Sequence, residues 1–319
     1  MNGATAQSTG IEDAVVVRSP REVFDRYLSV APLAHAIFRA AEVTAIAGVR
    51  LQRPVLDLGC GAGQFVRLAL SQRLDSGLDL SADKVQRAQR SGAYGQVTRG
   101  DARDLPWDDG SFQTVISISV LEHMREPDVC LREVHRVLRP GGSMVATIVL
   151  EDIHRHLPSC RLFRRLGLAW IASRIATFHD VIFRHVTLLT QAEWERMFRE
   201  AGFEITRLER TVSPRAIFWW EILLITAWPY RILDGLGVRS VWRPRVVRRA
   251  IARLFRRAVE QQQREGACLL VVARKGEASP MVRDSKTNQA ADGPPRKPTA
   301  ETASQRSFVS PPSRVAKPW

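Results

Sequence analysis

From about residue 50 to residue 150, short apolar runs alternate with amphipathic stretches. Val55-Leu56-Asp57-Leu58 predicts a strand that ends in Gly59-Cys60-Gly61-Ala62-Gly63, with a helix to follow over Gln64 to Ser71. Ser76 to Leu80 predicts a second strand, and Ser81 a cap for a helix running to about Arg90. Gln96 to Arg99 and Phe112 to Ser119 predict the third and fourth strands. Pro127 to Leu138 predicts a helix stopped by Pro140-Gly141-Gly142, and Ser143 to Leu150 a fifth strand. Strands that alternate with helices imply a parallel sheet covered on both faces.

The flanks read differently. Residues 1–18 are small and polar, as in a loose tail. Val23, Phe24, Tyr27, Leu28 and Ala31 recur at helical spacing, so one helix is expected from Pro20 to about Ala47. Past Leu150 an Arg-rich apolar segment runs to about His179. Thr190 should cap a helix over Gln191 to Ala201, ended by Gly202. Phe203 to Thr211 and Ala267 to Lys275 read as strands. Between them lies an insert of about 54 residues, 213–266, far longer than a hairpin needs. Beyond Lys275 the chain turns to Pro, Ser, Thr, Lys and Arg, so 276–319 is expected to be a disordered tail behind one domain at 19–275.

Composition narrows the class. The 319 residues are 45% hydrophobic and 25% charged, ordinary for a soluble protein. No window approaches the ~20 uncharged apolar residues of a membrane span. The first nineteen residues lack a basic start followed by an apolar stretch, so no secretory signal is expected. Cys60, Cys130, Cys160 and Cys268 are scattered and form no CxxC pair, which disfavours a zinc knuckle or a disulfide framework. No metal ligand set is expected, and reduced cytoplasmic thiols fit best. The net charge of +14 is uneven. Ser19 to Leu150 holds 16 basic and 15 acidic residues, Ile153 to His179 has five Arg and no acid, and Ser213 to Gly266 has 11 basic and 4 acidic residues.

The candidate chemistry starts at Gly59, Gly61 and Gly63. Glycines between strand and helix let the chain turn tightly and let a ligand touch backbone. Gln64 stands where a dinucleotide fingerprint would have glycine, and no Gly-Lys-Ser/Thr follows for a P-loop. No Lys or Arg lies between Asp57 and Val66, and Asp57 puts a negative charge beside the loop. A ligand bearing a cation suits that loop better than a pyrophosphate. Asp79, at the end of the second strand, can accept hydrogen bonds from both hydroxyls of a ribose. Asp101, after the third strand, suits an adenine amino group.

Val55-Leu56-Asp57-Leu58-Gly59-Cys60-Gly61-Ala62-Gly63 resembles motif I of the class I S-adenosylmethionine-dependent methyltransferases, type 11 domain subgroup. Gly77-Leu78-Asp79-Leu80-Ser81, Gly100-Asp101-Ala102-Arg103-Asp104-Leu105-Pro106-Trp107, Val120-Leu121-Glu122-His123 and Arg136-Val137-Leu138-Arg139-Pro140-Gly141-Gly142 resemble the family's later motifs. Gln113 departs, standing where the family usually has Asp. The resemblance implies an α/β fold: a doubly wound, mostly parallel seven-stranded sheet with helices on both faces, an antiparallel last strand, and the basic helical insert between the last two strands. It implies S-adenosylmethionine as cofactor. Asp79 with Leu80 would take the ribose side, Asp101 and Ala102 the adenine, and Gly59, Gly61 and Gly63 would border the methionine part. Asp57 would act on the ammonium side, directly or through water.

Methyl transfer from a sulfonium needs chiefly alignment, and a general base only where the nucleophile must lose a proton. His123 and His185 are the candidates for that role, against a packing or capping role. The expected acceptor is a small or lipid-like molecule, with O-methylation favoured and C and N acceptors open. A membrane-associated binding protein without turnover, or an RNA methyltransferase, are the alternatives; the neutral first half of the fold disfavours nucleic acid. Ala216 to Tyr230 is Trp-rich, and Arg243 to Gln263 sets Val247, Ile251, Leu254 and Ala258 on one helical face amid arginines. Such a helix suits an anionic membrane interface, peripheral on the inner face, or else a lid over the sheet.

Overall fold

The computed structural model describes residues 14–224, 243–260 and 265–276. The tail expectations for 1–13 and 277–319, and the parts of the insert at 225–242 and 261–264, lie outside the described residues.

Strand β1 (Val15–Val16) pairs antiparallel with β2 (Arg50–Leu51). Helices α1 (Pro20–Leu28) and α2 (Leu33–Ile46) come between them. The main sheet holds β3 (Val55–Leu58), β4 (Leu74–Asp79), β5 (Tyr94–Arg99), β6 (Phe112–Ile118), β7 (Leu138–Val149), β8 (Phe203–Thr211) and β9 (Cys268–Lys275). Their order is β5-β4-β3-β6-β7-β9-β8. The first five are mutually parallel, and β9 runs antiparallel to both its neighbours. This is the doubly wound, seven-stranded architecture expected.

All four residues of β3 are buried, as a central parallel strand requires. Val55 packs on one face with Ile37 and Ile116. Leu56 and Leu58 pack on the other with Leu131, Val134 and Phe198. The helices between the strands are α3 (Gln64–Ala69), α4 (Ala82–Ser91) and α5 (Pro127–Val137); α9 (Gln191–Glu200) precedes β8. Thr190 heads α9 with a full capping box, exchanging hydrogen bonds with Glu193. Gln113 sits in β6 with its N–H on Pro54 O (2.9 Å), at the strand end away from the glycine loop. The family departure there leaves the site untouched.

Four expectations change. The single helix over Pro20 to Ala47 is two, because the chain turns at Ser29 to Pro32 and proline has no N–H to continue the ladder. Val15 to Arg18 are not a loose tail: Val15 is fully buried, and Arg18 binds Leu70 O at 2.9 Å. Strand pairing anchors this stretch although its sequence is short and featureless. Pro140-Gly141-Gly142 does not follow a helix running to Leu138; α5 stops at Val137, and β7 already contains these residues.

The last change concerns the insert. Its described parts are mainly helical, α10 (Pro214–Leu223) and α11 (Arg245–Glu260), which follow α6 (Ile153–His156), α7 (Pro158–Arg165) and α8 (Ala169–Phe183) in the chain. The buried side of α11 is Phe255, Ala258 and Val259, whereas Leu254 is 74% exposed. Docking on α1 and α2 turns Phe255, Ala258 and Val259 inward, so the expected stripe is buried at Ala258 and half-buried at Ile251, whereas its Val247 and Leu254 face outward.

Candidate functional site

The glycine loop begins where β3 ends. Gly59 and Cys60 donate their N–H groups to Leu78 O (2.8 and 2.9 Å), tying the loop to β4 alongside. Gly59 has φ +73°, and a Cβ there would lie 2.4 Å from Val120 Cγ1. Gly61 has φ +56°, and a Cβ there would meet no heavy atom within 4 Å. The loop is therefore wedged on one side and open on the other, a cradle that a side chain would fill. Beside it, Asp79 accepts from Gly61 N (3.0 Å) and Ser81 N (2.9 Å). Backbone amides fix this carboxylate, and its remaining lone pairs are left for hydroxyl donors.

These residues border a cleft of about 760 Å³ that Gly59, Gly61, Asp79, Leu80, Asp101 and Ala102 help to line. Two of the expected residues lie elsewhere. Asp57 is 4% exposed and accepts a 2.6 Å hydrogen bond from the Tyr94 hydroxyl. Burial pushes its pKa up to about 7, with Tyr94 opposing the rise. Gly63 is the N-cap of α3, against Ser91 and Tyr94. Both shape the loop from behind. Asp101 is gripped by Arg103, whose Nη2 lies 2.7 Å from Oδ2, and these bonds hold its carboxyl below the usual range. Arg103 also pairs with Glu126.

The loop is acidic, but the cleft is not. Arg39, Lys84, Arg103, Arg125 and Arg184 also line it, brought from separate elements. The donor set fits a sulfonium nucleoside carrying an amino-acid end: open backbone at Gly61, a carboxylate at Asp79, apolar walls at Leu78 and Ala102, and cations within reach of a carboxylate.

A second chamber of about 200 Å³ adjoins the cleft and shares Arg39, Ser119, His123 and Phe183 with it. Its walls are apolar at Phe38, Val149, Ile153 and Trp220, yet it also gathers His35, Glu122, His179 and His185. Ser119, at the junction, has φ +53°, a conformation rare for a side-chain-bearing residue. It is held by its N–H on Thr147 O (2.9 Å) and by its hydroxyl on Glu42. Glu42 is fully buried; it also pairs with Arg39 (2.8 Å) and accepts from the Thr147 hydroxyl (3.0 Å).

His123 directs Nδ1 at Arg184 O (3.0 Å). A carbonyl only accepts, so Nδ1 carries the hydrogen and Nε2 the lone pair. Burial lowers its pKa, which favours the neutral ring. His185 stacks on it with centroids 5.6 Å apart and points Nδ1 at Asp180 Oδ1 (3.1 Å). Burial also lowers His185, pushes His179 down to about 4 and His35 down to about 3. Glu122 is fully buried, and burial pushes its pKa up to about 8. Its Oε1 accepts from Val149 N (3.3 Å), and its Oε2 has no partner among the described residues.

The structure thus unites His123 and His185 as the sequence suggested, and adds Arg39, Glu42, Ser119, Glu122 and Trp220. One signal was available: Arg39 and Glu42 are a charged i, i+3 pair inside the otherwise apolar helix LAHAIFRAAEVTAI.

Residues 56–146 match the family described as a methyltransferase domain. The chain is 34% identical over 114 residues to an ajmaline N-methyltransferase of Rauvolfia serpentina, covering 33% of this chain and 38% of that one. It is 28% identical over 173 residues to the O-methyltransferase resE of Aspergillus sclerotiorum, covering 50% and 59%. It is 32% identical over 164 residues to the ubiquinone biosynthesis O-methyltransferase of Pseudomonas aeruginosa, covering 48% and 65%. The chain therefore spans between about two fifths and two thirds of the length of these relatives.

Proposed function

Through residues 56–146 this chain belongs to the class I S-adenosylmethionine-dependent methyltransferase family, and from that premise we propose that it methylates a small, largely apolar acceptor seated in the histidine-lined chamber. The observation that carries this reading is the meeting of two cavities at Ser119 and His123. One suits the cofactor and the other is walled for an apolar molecule. S-adenosylmethionine supplies, when bound, a methyl group on a sulfonium with a good leaving group.

The chain's own residues do the rest. Asp79 and Leu80 hold the ribose side, Asp101 and Ala102 the adenine side, and the Gly61 backbone lets the ligand approach. Phe38, Phe183 and Trp220 exclude water and orient the acceptor. A hydroxyl acceptor must lose its proton, and Nε2 of a neutral His123 is a base for it; His185 stacks on that ring. The abundance of neutral imidazoles favours an oxygen nucleophile. Glu122, protonated at neutral pH, can offer its Oε2 hydrogen to an acceptor oxygen.

The surface around the chamber supports a lipid-like acceptor. Trp170 (68%), Phe178 (64%) and Val181 (70%) are exposed on α8, close in sequence to Arg165, Arg174 and Arg184. Apolar and basic residues together suit an anionic interface. The described part of the 213–266 insert adds exposed Ile222, Val246 and Leu254, while its Trp220 is buried. No helix among the described residues is long and apolar enough to cross a membrane.

The test is transfer of labelled methyl from S-adenosylmethionine into a cell extract that is then separated into lipid, small-molecule and RNA pools. Label is expected in the lipid or small-molecule pool and is lost in His123→Asn. Label confined to RNA overturns the proposal.

A further inference from the structure

Behind the chamber wall, the short helix α6 and the end of α8 bring three imidazoles to one carboxylate oxygen. Asp180 Oδ1 lies 2.9 Å from His154 Nε2, 3.1 Å from His185 Nδ1 and 3.5 Å from His179 Nδ1. A carboxylate oxygen has two in-plane lone pairs, so two of these contacts are good hydrogen bonds and the third is overcrowded. His179 bears the mismatch. It is 6% exposed, its Nδ1 contact is the long one, and its Nε2 has no partner among the described residues. Leaving a buried imidazole nitrogen unmatched costs free energy that a bound ligand can recover. One ligand atom from each of His154, His179 and Asp180 already lies within 4.8 Å of the others.

We propose that His154, His179 and Asp180 form a divalent-cation site, suited to zinc, at the back of the acceptor chamber. Two imidazoles and one carboxylate are a familiar zinc donor set, and three protein ligands leave a fourth position for water or another oxygen. A harder ion such as magnesium or calcium prefers oxygen ligands and fits less well. His185 is the outer partner: its Nδ1–H stays on Asp180 and orients that carboxylate. His179 also lines the chamber, so the site touches the acceptor's wall. No cysteine takes part, which is why a CxxC search of the sequence finds nothing. The inference does not depend on methyl transfer, because metal binding is measured without cofactor or acceptor.

The experiment uses the untagged full chain, stripped with a chelator and titrated with zinc chloride alone by calorimetry, with metal content read after dialysis. About one zinc per chain is expected. Asp180→Asn, which keeps the shape and an acceptor for His185, and His154→Ala should each weaken binding by about tenfold or more. His156→Ala, on the same short helix but outside the cluster, should leave it unchanged. Cobalt(II) should give the strong visible absorption of a four-coordinate site, lost in Asp180→Asn. If His154→Ala fails to fold by circular dichroism, Asp180→Asn and the cobalt spectrum still decide. Absence of saturable zinc binding by the folded protein, or equal binding by wild type and Asp180→Asn, overturns the site.

Discussion

The cleft and the chamber meet at Ser119, yet they are built in opposite ways. The cleft is assembled from strand ends and backbone. Its principal carboxylate, Asp79, receives two main-chain N–H groups from its own neighbourhood, and Asp101 is paired by Arg103 two residues on. The chamber is assembled from side chains of α2, the 119–123 turn, α8 and α10, and among the described residues it keeps polar atoms unmatched at Glu122 Oε2 and His179 Nε2. A site satisfied by local backbone holds its shape before the ligand arrives. A site with buried unpaired polar groups gains most from being filled. One half is thus preformed for a constant ligand, and the other is poised for a particular one.

The largest test of this contrast is His123→Asn, which should lower turnover by about 10²- to 10⁴-fold while leaving cofactor affinity intact. Single-turnover kinetics with calorimetry separate the two, and equal loss of both would erase the division of labour. Gly59→Ala should destabilise the fold by about 2–4 kcal/mol, since the new methyl meets Val120 with φ held at +73°. Gly61→Ala should cost only about 1–2 kcal/mol, because it points into open cleft; it should instead weaken cofactor binding. Urea denaturation of both variants reads the difference. Asp79→Asn should weaken binding of S-adenosylmethionine and its demethylated product by about 10- to 100-fold, roughly the loss of charge on one or two hydrogen bonds. The chamber variants should not share that effect.

The smallest effect is a pH slope. Burial raises Glu122 from 4.5 to about 8, so the native state binds this proton more tightly than the unfolded chain does. Its stabilising contribution is fully present below pH 4.5 and is lost as pH rises through about 8. Asp57, raised from 3.8 to about 7, acts in the same direction over a lower window. Glu122→Gln should flatten the fall in urea midpoint between pH 7 and 8; below about pH 6.5 the slope also carries the opposite contribution of His35 and His179, whose lowered pKa values favour the fold as pH rises. An unchanged slope above pH 7 would mean that Glu122 is already ionised in the fold.

What could be read in advance followed from range along the chain. β3, the Gly59–Gly63 bend and the cap at Thr190 are decided by residues within a few positions of each other, and the structure has them where the pattern put them. Asp57 shows the limit even at short range. Its position at the strand end was legible, but its turn toward Tyr94 depends on a partner 37 residues away. The rotation of α11 depends on α1 and α2, more than 190 residues earlier, so helical periodicity alone placed Ala258 and Ile251 on the covered side but not Phe255, and put Leu254 there wrongly. The cleft's cations were hidden for the same reason, being scattered from Arg39 to Arg184.

By itself the sequence determined the strand–helix rhythm, the parallel sheet, the glycine bend and the acidic residues that follow it, because propensity, turn chemistry and burial periodicity act between near neighbours. Tertiary structure alone decided that Glu42 holds Ser119, that Glu122 lines the chamber with its Oε2 unpartnered among the described residues, and that His154, His179 and His185 meet at Asp180. Those encounters are set by how helices dock across the sheet, and docking geometry is a sum over many distant apolar contacts that no local pattern encodes.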